Sequence, residues 1–492
     1  MISTWIRALE RLFNLFFSFL LEHLDRFDAG LKAAHVLPHI QKYSRIYTDI
    51  PLLKEYIPKE KQSSFEEAEF VISERYTTKP GVYFSQEGSW SNILVRKHGK
   101  EFELLFFLLI ATIGMGYLLQ DHTPLDDLNR HLKAWQYSSY KELYPFTTWM
   151  FSFNPYWLWD NLLGWLYQQL GDFSHRLVQL GAFFLMLEVF RRVHEHLPMR
   201  EWPLLLLIWL YFLSLNITLA RPSFYMSMLS LIIYLGGGLL WKLLWTLMGL
   251  GYYVWWIYLP LVLHRKHMLW LSLFLLVFWI GYTDGTYFQE LATFFSLVWE
   301  RGLHNILENK AWFYYIGDPL VLMMLGAWLI SKKRYLWGTI YSMLLYQIRY
   351  FQQLTIPLMM GSISPRLKFL FSWIPWEIMY GVVVIVMFSY FMPSHNFLYD
   401  FGNISLDNKT LLASNMGIMY QILHKYDYVR IAPAMELGLN VPEVNAFLAN
   451  KTLDCGFAQQ FDYVISDVPL NESCLQLTYA TKDLFFYVPV NE

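Results

Sequence analysis

Two adjacent carboxylates, an arginine, a lysine and two histidines fall within HTPLDDLNRHLKAW, residues 122–135. Asp126 and Asp127 are the types that serve as a general base on a hydroxyl. Arg130 and His131 follow one turn later and are donors suited to a phosphate. Helical spacing sets Asp126 against Arg130 and Asp127 against His131. The same residues also have a purely structural reading. Thr123 makes an N-cap, Pro124 suits the first helical position, and the acids favour the positive end of the helix dipole. Leu125, Leu128, Leu132 and Trp135 form an apolar stripe, so an interfacial helix with its charges facing water fits too. The stripe does not separate the two acids. Asp126 is the better capping residue, which leaves Asp127 as the preferred base.

Further candidates lie in apolar surroundings. Arg221 stands in Leu219-Ala220-Arg221-Pro222-Ser223 and either binds phosphate or snorkels to the interface. Arg349, in Gln347-Ile348-Arg349-Tyr350, is deeper in an apolar run and needs a partner or a cavity. Asp284 and Glu290, in YTDGTYFQE, are candidates for the same cavity or ordinary loop acids. The pairs His35/His39 and His194/His196 are read as surface features, so no metal site is assigned and no cofactor is expected, with a divalent ion left open. Trp149 and Trp157 are candidates for stacking on a sugar.

These residues have to be positioned by a chain that is 55% hydrophobic and 16% charged, short of the charge of soluble domains. A net charge of -2 argues against nucleic acid as a partner. Apolar runs of membrane-spanning length recur at 104–119, 177–190, 203–217, 223–240, 243–263, 268–282, 312–330, 337–360 and 369–392. Residues 1–30 read as an amphipathic helix lying on a membrane. The runs 243–263 and 337–360 each lie between two basic groups, which one crossing would place on opposite sides. Read as hairpins of two short helices, they leave every basic cluster on the cytosolic side. The expected fold class is therefore mainly α, a polytopic bundle of about 11 spans, with the N-terminus cytosolic. Residues 1–101 form a cytosolic region, 102–392 the membrane domain with an external loop at 120–173, and 393–492 an extracytoplasmic α/β domain. Gly236, Gly237 and Gly238 fall inside a span and read as close helix packing.

In the last segment LLAS, YVRIAP, YVISDV, CLQLTYA and LFFYVPV read as strands, with helices over NMGIMYQILHKY and VPEVNAFLANK. Cys455 and Cys474 are the only cysteines and both lie there, which suggests a disulfide in an oxidising compartment.

The layout resembles the C-type multispanning glycosyltransferases (GT-C fold), which use polyprenyl-phosphate-linked sugars. In that superfamily an acid in the first external loop, soon after the first transmembrane helix, is the usual base. Leu125-Asp126-Asp127-Leu128 holds that place. Tyr144-Pro145 and FSFNPYWLWDN (151–161) resemble the segment that follows, and Arg349 with Pro357 resembles a late Arg/aromatic segment. The resemblance covers roughly residues 103–492. It implies an inner-membrane enzyme of the cell envelope, with a lipid-linked sugar as donor and membrane lipids around it. The acceptor is not specified. Asp127 or Asp126 would be the base, and Arg349, Arg221, Arg130 and His131 would hold the phosphate. Two other functions compete: a non-catalytic assembly factor that binds a partner through the external domain, and a polysaccharide polymerase or transporter. A transporter should show internal repeats, and no convincing repeat is visible. An assembly factor should tolerate loss of both acids.

Overall fold

The computed structural model describes residues 33, 36–73, 79–83, 106–119, 127–195, 197, 202–300, 353, 354, 357, 360, 361, 381, 398–434 and 439–490. The amphipathic helix expected at 1–30, the run at 312–330, nearly all of 337–360 and 369–392, and both Asp126 and Arg349 lie outside the described residues.

The apolar part begins with α1, Phe106–Leu118. After it come α2 (Asp127–Ala134), the single turn α3 (Tyr140–Leu143), α4 (Trp157–Leu170) and α5 (Phe173–His194). Then follow α6 (Trp202–Leu219), α7 (Pro222–Tyr234), α8 (Leu239–Leu250), α9 (Met268–Tyr282) and α10 (Tyr287–Glu300). Among the described residues α5 alone is long and apolar enough to cross a membrane by itself. Residues Met268–Tyr282 and Tyr287–Leu297 meet the same criterion only as a pair, and they are bent by 86°.

Several helices are shorter than the apolar runs that encode them, because glycine turns interrupt them. The run at 223–240 is not one helix. α7 ends at Tyr234, and Gly236, at φ 101°, turns the chain into α8. The three glycines thus form a turn between helices rather than a packing face inside one. α8 stops at Gly251, where an added Cβ would lie 2.7 Å from the backbone nitrogen of Trp159. The chain then passes through a 3-10 turn, Trp255–Tyr258, and one helical turn, Leu259–Val262. The run at 243–263 is therefore broken.

These helices share one core. Phe183, Met186, Trp209, Phe224, Trp245 and Trp279 are among its fully buried side chains. The outward faces are apolar as well. On α9, Trp270 is 71% exposed and Val277 70%, while Met268, Leu275 and Trp279 on the other side are buried.

Two small sheets flank this body in sequence. Residues 36–42 are helical and precede a parallel sheet of β1 (Ile46–Thr48), β2 (Phe70–Ser73) and β3 (Gly81–Tyr83). Val36, Ile40, Leu53, Phe70 and Ile72 form its core. His39 stacks on Phe70 at 4.8 Å.

The C-terminal segment is an α/β domain with a five-stranded sheet. Its strands are β4 (Thr410–Ala413), β5 (Arg430–Ala432), β6 (Tyr463–Ser466), β7 (Leu475–Ala480) and β8 (Phe485–Pro489), ordered β5-β4-β6-β8-β7. β5, β4 and β6 run parallel; β8 and β7 add as antiparallel strands. The inner parallel strands β4 and β6 are mostly apolar and are buried over 411–413 and 464–466, as strands covered on both faces are. Helix α11, Met416–Lys425, follows β4 and is capped by Asn415, whose side chain accepts from the Ile418 amide at 2.9 Å. Helix α12, Pro442–Asn450, lies between β5 and β6. Cys455 and Cys474 form a disulfide, with Cα atoms 5.6 Å apart.

Candidate functional site

Helix α2 starts at Asp127 and carries the charges of the opening motif into the protein. Leu128 and Leu132 are buried, as their stripe requires. Asn129, Arg130, His131 and Lys133 are buried too, none more than 4% exposed. The expectation of a helix with its charges facing water is therefore overturned. An amphipathic helix has one wet face only while nothing covers it, and here α4 and α11 both pack against α2.

The buried charges are organised around Asp160, which is 0% exposed. His131 Nδ1 lies 2.5 Å from Asp160 Oδ1. The Tyr140 hydroxyl donates to Asp160 Oδ2 at 3.0 Å and lies 3.5 Å from His131 Nδ1. The Tyr156 ring meets the imidazole edge-on at 4.7 Å. The Arg130 guanidinium sits 5.0 Å from the centre of the Tyr140 ring and 5.4 Å from that of Tyr156, a cation–π arrangement. Burial pushes the Tyr140 hydroxyl well above the usual tyrosine range; Arg130 opposes this and Asp160 adds to it. Tyr140 therefore stays protonated and remains a donor to Asp160.

Asp160 escaped the reading of the sequence, which used FSFNPYWLWDN only for its aromatic residues. A signal was present: Asp160 is the only charged residue in α4, WLWDNLLGWLYQQL. A lone acid in an apolar helix needs a partner inside the protein. Its partner, His131, is 29 residues away in sequence, which helical spacing alone does not reveal.

Gly164 sets how closely α4 approaches this group. A Cβ there would lie 1.9 Å from the Trp135 indole. That contact brings α2 and α4 together next to the His131–Asp160 pair.

Lys133 turns toward the α/β domain. Its Nζ is 2.6 Å from Asp427 Oδ1 and 4.7 Å from the centre of the Tyr167 ring. Gln136 donates to the same carboxylate at 2.8 Å and accepts from the Tyr428 amide at 2.8 Å. Asn129 donates to the Tyr420 carbonyl at 3.3 Å and Tyr137 to that of Val429 at 2.5 Å. Partial burial alone would raise the Asp427 carboxyl, but the hydrogen bonds from Lys133 and Gln136 outweigh it and hold the group below its usual range.

His424 belongs to the same interface, with Nε2 3.3 Å from Asp172 Oδ1. Burial lowers its proton affinity, Asp172 raises it and nearby Lys133 lowers it, for a net depression. The ion-pair geometry points the other way, but the Asp172 side chain is 60% exposed and water screens it. A depressed folded pKa means that the stabilisation is complete above the ordinary histidine value, 6.5. It is lost as pH falls through the folded value. The melting temperature of the wild type should therefore fall more steeply between pH 7 and 5 than that of His424→Gln. Parallel profiles for the two proteins would reject this role.

The remaining candidates are distributed as follows. Glu290 Oε1 accepts from Ser152 Oγ at 2.7 Å, next to an aromatic group that joins Phe151, Tyr253 and Phe294. Asp284 is exposed in the turn between α9 and α10, in a left-handed conformation with φ 48°. Arg221 is the half-buried residue preceding Pro222 at the start of α7. One turn into that helix, Ser227 donates to Gln353 Oε1 at 2.8 Å and lies 3.1 Å from the Tyr258 hydroxyl. Trp149 and Trp157 pack on Phe294 and Phe278 respectively. His194 packs against Phe190 and Trp209. Among the described residues no group of three His, Cys, Asp or Glu converges as a metal site would require.

No family model, no curated protein and no solved structure matches this chain.

Proposed function

We propose that the chain is an integral membrane glycosyltransferase of the GT-C type. It transfers a sugar from a polyprenyl-phosphate donor to an acceptor on the extracytoplasmic face. The observation that carries this reading is the buried group of Arg130, His131, Asp160 and Tyr140, which follows directly on Asp127. Burying ionisable groups costs several kcal/mol per ion in general, and well-packed apolar residues serve stability as well or better. A loop of this composition is more economically explained by chemistry than by stability.

The membrane setting is supported by the apolar outer faces. Leu240, Leu247, Leu269, Trp270, Phe274 and Val277 are each at least half exposed. Exposed apolar surface of this extent suits lipid better than water. On this reading the chain is polytopic, with about 11 spans in the bacterial inner membrane. Its N-terminus is cytosolic and its α/β domain periplasmic.

Asp127 deprotonates the acceptor hydroxyl, with Asp126 as its alternative. The hydroxyl oxygen attacks the anomeric carbon and inverts it. The C–O bond to phosphate breaks, and its electron pair stays on the phosphate oxygen, where cationic side chains stabilise it. Arg349 and Arg221 serve this purpose, together with Arg130 and His131.

Purified protein in liposomes, given polyprenyl-phosphate sugars and an envelope lipid or glycan extract, should release free polyprenyl phosphate. The experiment includes a panel of hexose and pentose donors. Binding of none of them, together with no release, would overturn the proposal.

A further inference from the structure

We infer that His131 is the general acid that protonates the departing lipid phosphate, and that Asp160 is the positioning residue that holds its imidazole in place. The inference rests on the transferase reading and assigns one residue in it a specific proton.

Both imidazole nitrogens matter. Nδ1 is engaged by Asp160 Oδ1 at 2.5 Å. A carboxylate accepts, so Nδ1 carries hydrogen and Nε2 is the nitrogen left to exchange a proton with a substrate. The second carboxyl oxygen is occupied by the Tyr140 hydroxyl, which fixes the carboxyl plane. Carboxylate and imidazole are fully enclosed, at 0% and 1% exposed, so their interaction is little screened. The groups facing the ring are Asp160, Tyr140, Tyr156 and the adjacent Arg130. Of these, Asp160 and Arg130 are the charged types and the two tyrosines are neutral. Of these neighbours only Tyr156 is partly exposed.

The proton balance is closed. The acceptor hydroxyl gives its proton to Asp127 as its oxygen bonds the anomeric carbon. The phosphate oxygen leaves with the bonding electron pair and takes the proton from His131 Nε2. The neutral imidazole is then reprotonated from solvent.

The test is Asp160→Asn in the full-length protein in liposomes. Asparagine keeps the shape and accepts from Nδ1–H, and its amide donates to the Tyr140 hydroxyl, so a purely structural role survives the change. Loss of the negative charge weakens the imidazolium. The expected result is a fall in kcat of about 100-fold or more with the donor KM nearly unchanged. The descending, high-pH limb of the rate profile should also move to lower pH. His131→Gln should remove that limb, and the double variant should be no worse than the worse single variant. Histidine-selective NMR, with the His131 signal assigned from His131→Gln, should show the same acidward shift in Asp160→Asn without any assay of activity. An unchanged His131 titration overturns the inference whatever the activity. Full activity of Asp160→Asn with an unshifted limb, alongside an inactive Asp127→Asn, overturns it while sparing the transferase reading. Full activity of the Asp126 and Asp127 variants removes the assigned base and with it that reading.

Discussion

Asp127→Asn should lower sugar transfer by about 100-fold or more, the range expected when a positioned general base is lost. Asparagine has almost the same volume as aspartate and lacks only its basicity. Asp127 is the first described residue of α2, and a carboxylate in the first turn of a helix is in general favoured by the helix dipole. That contribution is about 0.3–1 kcal/mol, far short of what would unfold the protein. Expression, membrane insertion and melting temperature should therefore stay close to wild type while turnover falls. Asp126→Asn serves as the comparison. Asp126 is the better capping residue by sequence, so its substitution should act mainly on stability. A cellular glycan assay of the two single variants and the double decides the matter. Should all three keep full activity, the acids are structural and the competing role of an assembly factor gains ground.

Gly164→Ala should destabilise the protein although alanine is the better helix former. In an exposed helix interior the change would gain about 1 kcal/mol. Here the new methyl group would lie 1.9 Å from Cδ1 of Trp135 and 2.2 Å from Cγ. Those atoms form the base of the indole, not the end of a flexible chain, so the whole ring or the helix must move. Overpacking of this kind costs about 1–3 kcal/mol, and so severe a clash puts it at the upper end. The net effect should be a melting temperature lower by several degrees, with activity reduced because α2 shifts relative to Asp160. Trp135→Ala combined with Gly164→Ala tests the cause. Removing the indole should make the alanine at 164 neutral or favourable, giving strong non-additivity. Additive losses in the double variant would show that the contact does not set the spacing of the two helices.

Local sequence was enough to reveal the elements that depend on neighbours in the chain. The five C-terminal strands and the helices at 416–425 and 442–450 were legible, because their apolar periods and polar turns are written within a few residues. The pairing of Cys455 with Cys474 was legible for a similar reason: two cysteines in one small segment leave little choice. The long apolar runs were legible as hydrophobic, but not where each helix stops. The conformation of Gly236 and the close approach of Gly251 to Trp159 set those ends, and both depend on packing against another helix. The candidate site was half legible. Asp127, Arg130 and His131 could be singled out because they share one short helix. Asp160 stood out only as a lone acid in an apolar helix; its partner did not, because His131 meets it across two helices, held there by the seat of Trp135 on Gly164. Nor does periodicity show that the polar face of α2 is covered. The packing of α4 with Asp160, and the docking of the α/β domain through Asp427 and the carbonyls of Tyr420 and Val429, remove that face from water. Sequence thus determined which residues are polar and which segments are regular. Tertiary structure decided which polar residues lose their solvent, and a charge gains strength only where water is excluded.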